Sequence, residues 1–339
     1  MDFSVVPSHF KFALPFLAAG FIASFAVFPF YIKKLKQLQW GQQIREEGPK
    51  DHLSKKGTPT MGGLVTVLMF IIFSAALWGI SENVKDFPFH ITTDYWVFAG
   101  IFVLNALLGF SDDFLKIKKS KSLGLRAREK MAAHIIMGIG LWAYMAFFAQ
   151  QGTKVFIPFA GEVDFGWWLL PFCLLVLPGS SNAVNLTDGL DGLAASNVTI
   201  SLIAFSLILI YLGRFDMFTG CLFLIGGLLA FLWFNCYPAR VFMGDTGSLA
   251  LGGALAAIAI LTGTEIVLCV IGGVYVCEAL SVMIQVAYFK KTGGKRFFKM
   301  APIHHHFEKE GYHETQVTVR FAMLSLALAL TGLLMYFGI

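Results

Sequence analysis

Stretches of about twenty apolar residues recur along this chain, the length a helix needs to cross the hydrocarbon core of a bilayer. Candidate spans fall at roughly 11–33, 62–80, 95–113, 130–149, 167–186, 194–213, 217–235, 247–263, 265–288 and 317–338. The eighth is short and Gly-rich. Of the 339 residues, 57% are hydrophobic and only 14% charged, against about 25% charged in a soluble domain. The expected fold class is therefore an all-α polytopic membrane protein of about ten transmembrane helices. No internal repeat or low-complexity tail divides it, so one membrane domain is expected over 1–339. The first thirty residues lack a basic n-region and a small-residue cleavage site, so they read as a retained first span. The five cysteines lie in or beside apolar runs without paired spacing and read as small buried hydrophobes. Between spans four and five, two β-prone runs flank Ala160-Gly161, which predicts a short β-hairpin near 155–165.

Charge predicts the orientation. The loops from Lys33 to Lys56, from Lys116 to Lys130, around Arg240 and from Lys290 to Lys309 hold 21 of the 26 Lys and Arg residues. The alternate loops carry Lys85, Lys154 and Arg214 beside a larger number of acidic groups. By the positive-inside rule the basic loops are cytoplasmic, and an even number of spans leaves both termini periplasmic.

Chemistry-bearing residues gather on the basic side. Asn185-Leu186-Thr187-Asp188-Gly189-Leu190-Asp191-Gly192 sits between two apolar runs; its glycines let backbone approach a ligand, and its oxygens suit a hard cation or a ribose. Asp112 and Asp113 stand where the third span leaves the bilayer. Adjacent like charges favour retention of one proton, and such a pair can bind Mg²⁺ or act as a general base. Lys116 and Lys130 supply positive charge for a nearby phosphate, or attract anionic lipid. If the helix continues, Lys116 shares a face with Asp112. Lys55-Lys56-Gly57-Thr58-Pro59-Thr60-Met61-Gly62-Gly63 reads either as an anion site at a helix start or as ordinary interfacial lysines. Gly244-Asp245-Thr246-Gly247-Ser248 adds a carboxylate that also suits a helix N-cap. His304, His305 and His306 suggest metal or phosphate handling, although three adjacent side chains point in different directions and cannot share one ion.

These motifs, in this order and over nearly the whole chain, resemble the bacterial phospho-N-acetylmuramoyl-pentapeptide-transferase family. The Asp pair and the Asp-Gly-Leu-Asp stretch are shared with the wider polyprenyl-phosphate N-acetylhexosamine-1-phosphate transferases. Pro302-Ile303-His304-His305-His306-Phe307-Glu308 and the Gly57–Gly63 stretch are particular to the narrower family. The resemblance implies a ten-span enzyme of the bacterial cytoplasmic membrane with its cleft at the cytoplasmic face. It would transfer phospho-MurNAc-pentapeptide from UDP-MurNAc-pentapeptide to undecaprenyl phosphate, giving lipid I and UMP, with Mg²⁺ as cofactor. It implies that Asp245 holds the metal and that Asp112 and Asp113 serve the lipid phosphate. Lys56, Asn185, Asp188, Gly189, Leu190, Asp191, Asn235, Phe242 and Gln285 would form the uridine and diphosphate pocket, Phe242 stacking on the base. The three histidines would close over the diphosphate or sugar. No nucleic-acid partner is expected, and a homodimer is left open. A UDP-GlcNAc-using relative is the nearest alternative. An ion-coupled transporter is remote, because Glu278 is the only carboxylate in mid-span.

Overall fold

The computed structural model describes residues 6–38, 40, 57–119 and 124–338. In chain order these form α1 (Val6–Gln37), α2 (Gly63–Asn83), α3 (Thr93–Lys119), α4 (Ala127–Phe147), β1 (Lys154–Ile157), β2 (Gly161–Asp164) and α5 (Leu169–Thr187). They continue as α6 (Leu193–Tyr211), α7 (Phe215–Asn235), α8 (Gly244–Leu261), α9 (Glu265–Ile271), α10 (Gly273–Lys291), α11 (Ile303–Lys309) and α12 (Glu314–Phe337). Among the described residues, α1 to α8 and α12 are long and apolar enough to cross a membrane, nine helices in all.

The expected tenth span is broken. Where the apolar run 265–288 reads as one helix, the chain instead bends by 83° between α9 and α10. Two glycines, Gly272 and Gly273, meet at the bend, where the missing Cβ atoms remove the steric bar to a sharp turn. A methyl group at Gly272 would sit 2.8 Å from the Leu268 carbonyl oxygen. Hydropathy alone registers neither the bend nor its angle.

The β-hairpin forms as expected, antiparallel with Val155 opposite Val163 and Phe156 opposite Glu162. Its Phe156 N–H donates to the Gly263 carbonyl at 2.6 Å, tying the hairpin to the far end of α8. At that end of the bundle Arg214 pairs with Asp94, which also accepts from the Tyr144 hydroxyl, so α3, α4 and α7 are pinned together.

The core centres on α8, 89% of whose apolar window is buried, against 22% for α1 and 28% for α12. Its run of Gly, Ala and Ser lets α3 and α5 lie along it, while α1 lies along α7. Two cysteines, Cys173 and Cys221, are buried as expected; Cys236, Cys269 and Cys277 are exposed instead. A cysteine in or beside an apolar run can face either the core or the bundle surface, and sequence composition does not separate the two.

Helix length positions the site. At about 1.5 Å per residue the 27 residues of α3 span about 40 Å, longer than the hydrocarbon core of about 30 Å. Asp112 and Asp113 fall near the point where that core runs out, and α3 carries on past them to Lys119.

Candidate active site

The C-terminal part of α3 and the first turns of α4 and α8 bring five charged groups together. Because α3 continues, Asp112 and Lys116 share a face, and Lys116 Nζ lies 2.5 Å from Asp112 Oδ2. The same ammonium is 3.1 Å from Asp245 Oδ2 and 3.8 Å from Asp113 Oδ1. Lys130, in the first turn of α4, reaches Asp245 Oδ2 at 2.8 Å and Asp112 Oδ1 at 3.1 Å. Asp112, Asp113 and Asp245 can each offer one oxygen within 4.8 Å of the others. The carboxylates are the buried partners, Asp112 at 1% exposure, while the ammonium groups reach in from the rim.

The adjacent aspartates do different things. Asp113 accepts from the Thr246 hydroxyl at 2.8 Å, the Thr246 N–H at 2.9 Å and the Asp245 N–H at 3.2 Å. It satisfies the orphan N–H groups at the start of α8 and sits at the positive end of that helix dipole. Asp245 is thus not the N-cap of α8, which falls at Met243; it lies in the first turn, its own N–H held by a carboxylate from α3. Asp112 accepts from the Leu125 N–H at 2.7 Å and meets both ammonium groups. Its Oδ2 touches Lys116 without a well-directed hydrogen bond.

The stretch after α5 faces the same cluster. Burial, with the charges of Asp245, Asp113 and Asp191, holds the Asp188 carboxyl well above the usual carboxylate range, and the Gly244 N–H works the other way. Asp191 accepts from the Ala239 N–H at 2.9 Å, and Thr318 donates to its carbonyl at 3.2 Å. Asn235 accepts from the Gly192 N–H at 3.0 Å and donates to the Val241 carbonyl at 2.9 Å. Leu190 is buried in a small apolar cluster with Val274 and Val317, while Asn185 lies half-buried in the last turn of α5. Phe242 is half-buried; its N–H donates to Pro59 and its carbonyl accepts from Gly62, so the helix start of α2 and the loop before α8 form one unit. Gln285 is occupied in holding the loop after α10, accepting from the Phe297 and Phe298 N–H groups at 3.1 and 2.9 Å. Lys56 lies outside the described residues.

The three histidines lie in the short helix α11 and diverge, as adjacent helical residues must. His304 is fully buried, its Nδ1 3.1 Å from Glu278 Oε2. A methyl group on Gly189 would lie 2.2 Å from His304 Nε2, so this approach requires glycine. His305 pairs with Glu308 at 2.6 Å, and His306 Nδ1 accepts from the Lys299 N–H at 3.2 Å. Sequence reasoning passed over Thr246, which clamps Asp113, and read Glu278 only as a mid-span carboxylate. A single charge in an apolar run does signal a buried partner; its being His304 follows only from the fold.

Comparison with known proteins bears on this geometry. The profile described as Glycosyl transferase family 4 matches residues 95–263, from the start of α3 to the end of α8. The chain is 42% identical to a phospho-N-acetylmuramoyl-pentapeptide-transferase of Thermodesulfovibrio yellowstonii, covering 94% of this chain and 91% of the relative. It is 46% identical to the enzyme so named from Dinoroseobacter shibae, over 88% and 85% of the two chains. With the enzyme of that name from Geobacillus kaustophilus it shares 42% identity over 94% and 95%. The likeness runs the length of the chain, through every helix that contributes to the charged cluster, and on these grounds the chain belongs to the phospho-N-acetylmuramoyl-pentapeptide-transferase family.

Proposed function

We propose that this chain, acting as one membrane domain, transfers phospho-MurNAc-pentapeptide from UDP-MurNAc-pentapeptide to undecaprenyl phosphate, giving lipid I and UMP. The observation that carries the reading is the cluster of three carboxylates and two ammonium groups where α3 ends and α4 and α8 begin. One substrate is water-soluble and the other dissolved in a leaflet, so the reaction has to occur at a membrane face. Phosphoryl transfer asks a protein mainly for positioning and charge neutralisation. The alternation of basic loops supports a cytoplasmic site, periplasmic termini and a bacterial cytoplasmic membrane.

The donor set fits Mg²⁺. Asp112, Asp113 and Asp245 offer only hard oxygen atoms, close together, and the buried Asp112 Oδ2 lacks a directed hydrogen bond. Asp245 would be the principal ligand of a Mg²⁺ ion held beside these carboxylates, and the ion would supply neutralisation of the donor diphosphate. Asp112 takes the proton of the lipid phosphate, whose oxygen then attacks the sugar-linked phosphorus as its bond to UMP breaks. Lys116 and Lys130 hold phosphate oxygens beside that base. Asp113 fixes the first turn of α8 and with it Asp245. Phe242, Asn185 and the Asp188–Asp191 stretch accommodate the uridine, Lys56 contributes to the same pocket, and Asn235 and Gln285 hold its walls. The histidines of α11 cover the diphosphate, His304 braced by Glu278.

Purified chain incubated with UDP-MurNAc-pentapeptide, undecaprenyl phosphate and Mg²⁺ should release UMP, release none with EDTA, and release far less with UDP-GlcNAc as donor. Equal or faster turnover of UDP-GlcNAc would overturn the substrate assignment, and undiminished turnover in EDTA the metal assignment.

A further inference from the structure

One to two turns below the charged cluster, within the apolar part of the bundle, lies a second polar group that the reaction as described does not use. His134 on α4 is fully buried, and its Nε2 is 3.1 Å from Asn105 Oδ1 on α3. Asn105 Nδ2 donates to the Ile101 carbonyl at 2.9 Å and touches Met137 Sδ at 3.6 Å, which turns the amide oxygen toward His134. That oxygen can only accept, so His134 Nε2 carries the hydrogen. From α5, Ser181 Oγ lies 3.1 Å from the same oxygen and 3.1 Å from the Leu249 carbonyl of α8. One hydroxyl hydrogen serves one of these at a time.

Four helices meet at this point; α3, α4 and α8 each carry a site group on the same face, and α5 ends at one. Asp112 follows Asn105 by seven residues, Lys130 precedes His134 by four, Asp188 follows Ser181 by seven, and Asp245 precedes Leu249 by four. Helix α4 lies chiefly along α5 and makes little contact with α3. Yet Lys130, one turn from His134, must reach Asp112 on α3 and Asp245 on α8. We propose that His134 is a positioning residue: its hydrogen bond to Asn105 sets the rotation and height of α4 against α3, and so holds the Lys130 ammonium between Asp112 and Asp245. For its effect on turnover the inference rests on the transferase reading above; its geometric content does not.

Two variants test it in the full-length chain. His134→Leu removes the N–H while roughly keeping the volume, and His134→Gln restores an amide N–H on an unbranched side chain. In the UMP-release assay His134→Leu should lose about ten- to a hundred-fold in kcat, the scale of an ångström-level misplacement. KM for both substrates should stay within about twofold of wild type and the melting temperature should be unchanged, with His134→Gln recovering most of kcat. Separately, the rate of Lys130 acetylation by an N-hydroxysuccinimide ester, followed by mass spectrometry, should rise several-fold in His134→Leu and return toward wild type in His134→Gln. An unchanged kcat or an unchanged labelling rate in His134→Leu overturns the proposal. So does a loss of kcat matched by a fall in melting temperature, or a glutamine variant as impaired as leucine. If the wild-type chain releases no UMP, the transferase reading fails, and the labelling rates alone decide the role of His134.

Discussion

Gly109 of α3 packs against the backbone of the first turn of α8, and adding one methyl group there tests the geometry directly. A Cβ at position 109 would stand 2.1 Å from the Asp245 carbonyl oxygen, 2.4 Å from its carbon and 2.7 Å from the Thr246 nitrogen. These are backbone atoms, which no rotamer change can clear. Ordinary contact begins near 3.4 Å, so Gly109→Ala requires the first turn of α8 to withdraw from α3 by about 1.3 Å, since packed interiors do not absorb such overlap. The bonds from Thr246 to Asp113, now 2.8 and 2.9 Å, then stretch past useful length. Overpacking of this kind costs about 1–3 kcal/mol, and misplacing a reacting group by an ångström costs about a hundredfold in rate. Gly100→Ala is the control: it lies on the same helix with nothing within 4 Å of the added carbon. In the UMP-release assay at saturating substrates, Gly109→Ala should fall about a hundredfold in kcat while Gly100→Ala stays at the wild-type value. A Gly109→Ala enzyme within threefold of that control would refute the reasoning that α3 and α8 hold Asp245 in place by backbone contact.

Thr246→Val keeps the shape but removes the hydroxyl donor to Asp113; a hydrogen bond to a charged group is worth about 1.5–3 kcal/mol. Denaturation in detergent should show a loss of that size, and an unaltered midpoint would mean the two backbone donors suffice. Asp188 has a folded pKa raised by burial and by three neighbouring carboxylates, so its contribution to stability is complete below the ordinary carboxylate value and is lost as pH rises through the folded value. Metal-free Asp188→Asn should therefore lose less stability than wild type on going from acid to neutral pH; identical pH slopes in thermal melts would remove Asp188 as the cause. Asp245→Asn keeps shape but deletes a charge from the three-carboxylate cluster proposed to hold Mg²⁺, and should abolish UMP release; near-wild-type turnover at ordinary Mg²⁺ would contradict the proposed ligand role. A cysteine placed at 294, in a basic loop, and one at 160, at the hairpin tip, should be labelled from opposite sides of the membrane in cells; labelling from one side would undo the topology.

Nearly every transmembrane helix was legible before any coordinates, because an apolar run long enough to cross a bilayer is a property of consecutive residues. The hairpin and the Asp112–Lys116 pair were legible for the same reason, their partners being within about ten residues or one helical turn. The charged motifs also announced themselves, since carboxylates and histidines beside apolar runs are costly to place there without a use. What they touch was not legible. Asp113 meets Thr246 across 133 residues and Lys130 meets Asp245 across 115, and neither separation has a periodicity to betray it. The division of labour between Asp112 and Asp113 depends on which side of α3 faces α8. The bracing of His304 by Glu278 depends on the 83° break before α10. Hydropathy fixes how long a helix is; its rotation about its own axis and its distance from its neighbours come from packing, decided here by where glycine, alanine and serine let backbones close on α8.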